Sequence, residues 1–124
     1  MTRLVLSPLG HTWLIDIDGT VLAHNGHLQG CERLLPGVEA FWARIPAGDH
    51  IVLMSARTEA EREATLAVIA AAGLRYDQAL FGLPHGERIL VNDSKPSGLV
   101  TALAAPLPRD AGPGGVEVII DPGL

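Results

Sequence analysis

Two aspartates one residue apart, in Asp16-Ile17-Asp18-Gly19-Thr20-Val21, follow directly on the apolar run Trp13-Leu14-Ile15. An unpaired buried carboxylate costs several kcal/mol, so the pair needs a cation, hydrogen bonds or a raised pKa to persist. Two more polar groups stand at comparable places. Ser55 follows Ile51-Val52-Leu53-Met54, and Asn92-Asp93 follows Ile89-Leu90-Val91, with the lone lysine, Lys95, shortly after. In a doubly wound sheet the carboxyl ends of the strands meet along one edge. That would gather Asp16, Asp18, Ser55, Asn92, Asp93 and Lys95 in one crevice. A hard cation such as Mg2+ takes carboxylate and phosphate oxygens and would neutralise Asp16 and Asp93 together.

These residues need elements to hold them. Thr12 to Ile17 reads as a strand that is apolar on both faces, as at the centre of a parallel sheet, and ends at the carboxylates. Residues 20–30 read as a small two-stranded flap, because Asn25-Gly26 favours the left-handed residues of a tight hairpin turn. Pro36 suits the first turn of a helix reaching Ile45, with Val38, Phe41, Trp42 and Ile45 on one buried face. His50 to Met54 is a second strand. Thr58 and Glu61 have the spacing of a capping box, opening a helix to Ala72 that Gly73 ends as a left-handed cap.

Asp77–Phe81 and Arg88–Val91 read as short strands. The segment between them is too short for a crossover joining adjacent parallel strands, so one of the two is irregular or antiparallel. Ser97 opens a last helix through Ala104, and the Pro- and Gly-rich stretch 105–115 is a linker. Val116–Ile120 is a final strand, at a sheet edge or in a dimer contact. The order predicts one α/β domain over residues 1–124: a three-layer, Rossmann-like, doubly wound and mostly parallel sheet. There is no room for a large cap domain, since only about 17 residues separate Asp18 from Pro36.

Composition narrows the functional classes. At 124 residues, 48% hydrophobic and 19% charged, the chain is typical of a soluble globular domain, and no apolar run nears the roughly 20 residues that span a bilayer. The apolar patch before Pro8 is too short for a secretory leader, so a cytoplasmic location is expected and a membrane partner is not. A net charge of −5 argues against a nucleic-acid surface and for a small substrate. Two Phe, two Trp and one Tyr leave little for a base-stacking platform. Cys31, the single cysteine, cannot form an internal disulfide and reads as a small, partly buried side chain.

The Asp16-to-Val21 stretch resembles the first motif of the haloacid dehalogenase superfamily, whose phosphatases carry Asp-x-Asp-Gly-Thr. Ile51 to Ser55 is similar to its second motif and Ile89 to Asp93 to its acidic fourth motif, while Leu35-Pro36-Gly37-Val38 is similar to the helix start that follows the flap. The resemblance covers roughly residues 12 to 104. It implies a Mg2+-dependent phosphohydrolase in which Asp16 is the nucleophile that forms an aspartyl-phosphate and Asp18 the general acid and base. It further implies that Gly19, Thr20, Ser55, Ala56 and Arg57 surround the phosphate, and that Asp16, Asp93 and the Asp18 backbone carbonyl bind the ion. The family's third-motif lysine is missing: Gly82-Leu83-Pro84 stands where small capless members often carry Gly-Lys-Pro. Lys95 is assigned that role here, with Arg88 and Arg57 as substitutes.

The elementary chemistry agrees with those roles. A carboxylate can take a phosphoryl group covalently and split one hard displacement into two easier ones. A placed acid and base contributes roughly 100- to 10,000-fold, and fixed donors stabilise charge spread over the transferring oxygens. Small capless relatives make a sugar phosphate the first substrate expected and a nucleotide or polynucleotide end the second. An open site would be covered by a large substrate or by a partner subunit of a homo-oligomer. The rivals are a phosphoacceptor module like a response-regulator receiver and a catalytically weak phosphate binder that lacks its lysine. His24 and His27 read as exposed turn residues, His85 as a loop residue or substrate contact, and Asn92 as a turn residue or ligand positioner.

Overall fold

Every strand pair among the described residues, 2–124 of a computed structural model, is parallel, so each connection must travel back along the sheet before the next strand begins. Strands β2 (Thr12–Asp16), β3 (His50–Met54) and β4 (Gln78–Leu80) form one open sheet in that order. Strands β1 (Thr2–Leu6) and β5 (Val116–Ile120) pair in a second, with Thr2 opposite Val116 and Leu6 opposite Ile120. The result is a small α/β arrangement of parallel strands and few helices. No helix is long and apolar enough to cross a membrane among the described residues.

The central strand behaves as its apolar run predicts. Ile51, Val52 and Leu53 are all buried, so β3 is covered on both faces. β2 differs from expectation: Trp13 and Ile15 are buried but Leu14 is 48% exposed. Thr12 and Leu14 share a face that is left uncovered, and among the described residues no strand pairs along the second edge of β2.

Helix α1 (Val38–Arg44) turns Val38, Phe41 and Trp42 inward. Phe41 meets Trp13 edge-on at 5.8 Å between ring centroids, joining the helix to β2. The capping box forms at Thr58 and Glu61, around a short 3-10 turn that leads into α2 (Arg62–Ala71). Thr65 and Ile69 are the buried face of α2, and Gly73 adopts the left-handed conformation at its end with φ +74°.

Four further expectations are corrected, the smallest at Cys31, which is exposed where a partly buried side chain was expected. Residues 20–30 are mainly turns in place of a strand pair, with a single antiparallel bridge running from Leu22 out to Leu34, and Asn25 is left-handed as its Asn-Gly context suggests. Residues 2–6, read from sequence only as an apolar patch, form β1, whose alternating burial and Arg3–Glu117 cross-strand pair at 3.7 Å suit a sheet edge. Residues 88–107 contain neither the strand Arg88–Val91 nor the helix Ser97–Ala104. Ile89 and Val91 are 83% and 90% exposed, so no burial stabilises an extended pairing there. The helix fails because an isolated segment that short is marginal in water. Gly98 is left-handed and the Thr101 hydroxyl donates to the Asp93 carbonyl, closing a local loop in place of a helical turn.

Candidate active site

The acidic loop leaves β2 and turns sharply at once. Gly19, with φ +80°, takes a conformation that side chains resist, and its N–H donates to the Leu22 carbonyl at 2.7 Å. Val21 and Leu22 N–H groups both donate to the Ile17 carbonyl at 2.9 Å, and Ile17, Val21 and Leu22 are fully buried. The loop is thus anchored by core side chains on either side of Asp18, which fixes both carboxylates relative to the sheet.

Asp16 and Asp18 have different surroundings. Asp16 Oδ1 accepts from Arg88 Nη1 at 2.6 Å and Oδ2 from the Thr20 hydroxyl at 3.2 Å, in a pair whose side chains are each 33% exposed. Asp18 Oδ2 accepts from the Ser55 hydroxyl at 2.9 Å and Oδ1 from Arg57 Nε at 2.8 Å. Ser55, at the end of β3, is fully buried, and its Oγ also accepts the Arg57 backbone N–H.

Arg57 is a structural hub here, not a solvent-facing phosphate ligand. Its side chain is 2% exposed and forms a two-pronged pair with Glu32, Nη1 to Oε2 at 2.7 Å and Nη2 to Oε1 at 2.8 Å, while Nη1 also reaches the Thr65 hydroxyl at 3.0 Å. Burial opposes the guanidinium charge, yet hydrogen bonds and charge from Glu32 and Asp18 prevail and raise its pKa. One arginine therefore ties β3, the acidic loop, the turn segment at Glu32 and helix α2 together. His27 adds a second tie, with Nε2 2.7 Å from Glu61 Oε2 of the capping box; the expected exposed turn residue is packed against the start of α2.

The structure brings Asp16, Asp18, Gly19, Thr20, Ser55 and Arg57 together and adds Arg88. Ala56 lies between Ser55 and Arg57 and is half-buried. Asp93 and Lys95 lie on the exposed segment after Val91, and among the described residues Lys95 pairs with no carboxylate. The cation on Asp16 is Arg88, which sequence reasoning named only as a substitute. Asn92 contacts Thr101, not the acidic loop. No protein-family model, no curated protein and no solved structure matches this chain.

Mg2+ does not fit these donors as they stand. Both Asp16 oxygens have partners, and among the described residues no hydrogen bond or ion pair joins Asp93 to the acidic loop and no group of three or more His, Cys, Asp or Glu side chains could hold an ion. Sequence reasoning missed Glu32, Thr65 and Asp110. Glu32 and Arg57 are 25 positions apart, and no local pattern marks such a pairing. Asp110, whose N–H donates to the Gly19 carbonyl of the acidic loop, lay hidden in a stretch rich in Pro and Gly.

Proposed function

We propose that this chain is a phosphohydrolase acting on a small phosphate monoester, a sugar phosphate first and a nucleotide or polynucleotide end second, with Asp16 as nucleophile. The observation that carries the proposal is the Arg88 guanidinium 2.6 Å from Asp16 Oδ1. A cation beside a partly exposed carboxylate attracts a phosphate dianion to a group that could otherwise only repel it. In the first step an Asp16 oxygen forms a bond to phosphorus, the bond to the ester oxygen breaks, and that oxygen takes a proton from Asp18, which must enter this step in its protonated form. In the second step water gives its proton to Asp18 and its oxygen to phosphorus, releasing inorganic phosphate and the Asp16 carboxylate. Arg57 and Ser55 position the Asp18 carboxylate that serves as base in the second step. No step is routed through a metal ion.

The same proposal includes the finer architecture, a three-layer, Rossmann-like, doubly wound sheet in one domain. β2 retains a free edge, and Ile89-Leu90-Val91 is an exposed apolar run tethered to the end of β2 through Arg88 and Asp16. Pairing of this run with that edge would extend the sheet in the second direction.

The test is hydrolysis of p-nitrophenyl phosphate and a panel of sugar and nucleotide phosphates, in Mg2+ and in EDTA, by wild type and Asp16→Asn. Release that disappears in the variant supports the assignment. A variant as active as wild type removes Asp16 from the mechanism. A second reading, a phosphate-binding module without turnover, is favoured by the full engagement of Ser55 and Asp18 with each other and Arg57. It predicts phosphate binding with no release from any ester.

A further inference from the structure

We infer that Arg109 binds a second anionic group of the substrate, so that the preferred ligands carry a phosphate or carboxylate beyond the one delivered to Asp16. This rests on the phosphohydrolase reading for the identity of the first group. The residues 105–115, which look like a linker in the sequence, are clamped onto the acidic loop. Asp110 N–H donates to the Gly19 carbonyl at 2.9 Å, and Asp110 Oδ1 accepts the His24 N–H at 2.8 Å. Asp110 does this in the left-handed conformation, φ +63°, where a non-glycine residue is strained. Two positions further on, Gly112 lies so close to Pro36 that any Cβ would collide with the Pro36 carbonyl oxygen.

The backbone that carries Arg109 is therefore held on the acidic loop. Its Cγ lies 3.4 Å from where a Gly19 Cβ would stand, so the stem rests on the residue next to Asp18. The head of this arginine has nothing to hold. Arg3, Arg57, Arg62 and Arg88 pair with carboxylates, and Arg44 and Arg75 donate to backbone carbonyls. Among the described residues only Arg33 and Arg109 lack such a partner, and Arg109 is the one seated on the acidic loop. In a chain of net charge −5, a strained and doubly hydrogen-bonded turn that seats the stem of an exposed, unpaired arginine on Gly19, the residue after Asp18, is suited to recognising an anion. The planar fork of arginine matches phosphate and carboxylate oxygens two at a time. Gly19 contributes by lacking a side chain, which lets the arginine stem lie flat over the loop.

The experiment is calorimetric titration of the wild-type chain with methylphosphonate and with methylene-, ethylene- and propylenediphosphonate, in EDTA-containing buffer. None of these ligands is an ester, so binding is read whether or not the chain turns over. At least one diphosphonate should bind tenfold or more tightly than methylphosphonate. Arg109→Ala should reduce that ratio to threefold or less, and Arg109→Lys should restore part of it. A ratio that Arg109→Ala leaves unchanged, an equal loss for all ligands, or no measurable diphosphonate binding overturns the proposal. Failure of the phosphohydrolase reading is seen separately, as absence of ester hydrolysis by a protein whose diphosphonate preference still depends on Arg109.

Discussion

At the N-terminal ends of β2 and β3 the Asp49 carboxylate is 3% exposed, whereas at the C-terminal ends of the same strands Asp16 is 33% exposed. Asp49 accepts from the His11 ring at 2.7 Å, the His11 backbone at 3.2 Å and the Trp13 indole at 2.9 Å. The other His11 ring nitrogen faces the Ser7 carbonyl at 2.9 Å, and Arg75 donates to the Asp49 carbonyl at 2.9 Å. Every partner is fixed by packing. Asp16 has one exposed arginine and one hydroxyl, both of which a ligand could displace. Acidic residues at opposite ends of one sheet thus differ in whether their partners can leave, and that difference separates a group that holds the fold from one able to react. Asp18 lies between these cases, since its partners are buried but it follows Asp16 by two residues.

Asp16→Asn should have the largest effect on one end alone. Turnover should fall at least a thousandfold, about 4 kcal/mol of transition-state stabilisation. Thermal unfolding should change little, because exposed ion pairs contribute about 0–1 kcal/mol. Arg57→Ala should blur the comparison by damaging both properties. Removing one partner of a buried ion pair costs about 3–5 kcal/mol, and denaturant unfolding should show a loss of that order together with reduced turnover. If stability is kept and only turnover falls, Arg57 touches substrate and is not the hub described above.

Asp49→Ala should sharpen the contrast. It strands the Trp13 and His11 donors at a cost of about 2–3 kcal/mol, while turnover per folded molecule stays at the wild-type level. The same carboxylate sets a pH dependence. Burial works against its charge, but hydrogen bonds from Trp13 and His11 and the charge of His11 lower its pKa below the ordinary 3.8. A depressed folded pKa means that the unfolded chain binds the proton first, so stability is present above about pH 4 and is lost as pH falls through the folded value. Urea midpoints between pH 5 and pH 3 should therefore fall more steeply for wild type than for Asp49→Asn; equal slopes would assign the acid sensitivity to other groups. The smallest effect belongs to Arg88→Ala, with turnover reduced about tenfold and unfolding shifted by less than about 1 kcal/mol. An unchanged rate would show that Arg88 does not meet the phosphate.

Local signals in the sequence were enough wherever one element decides its own structure. The burial of β3, the bounds of β5, the Thr58–Glu61 box and the left-handed Gly73 follow from apolar runs, capping chemistry and glycine. What stayed hidden depends on distant partners. β1 exists because β5 pairs with it, and Arg57 is buried because Glu32, Asp18 and Thr65 surround it. Arg88–Val91 has strand composition but no neighbour, which is why propensity alone misjudged it. Of the candidate site, the two aspartates and Ser55 were legible from their place after apolar runs, whereas the cation at Asp16 had to be seen.

The β1–β5 pairing joins residues more than a hundred positions apart, and it imposes an order of assembly. The sheet of β2, β3 and β4 with both helices lies within residues 12–80 and can form on a nascent chain while β1 still waits for its partner. Closing so long a loop costs about 4 kcal/mol of chain entropy, so this step comes late. The turn bearing Arg109 leads directly into β5 and arrives with it. Translation would therefore produce the acidic loop of Asp16 and Asp18 first and the turn of Arg109 last.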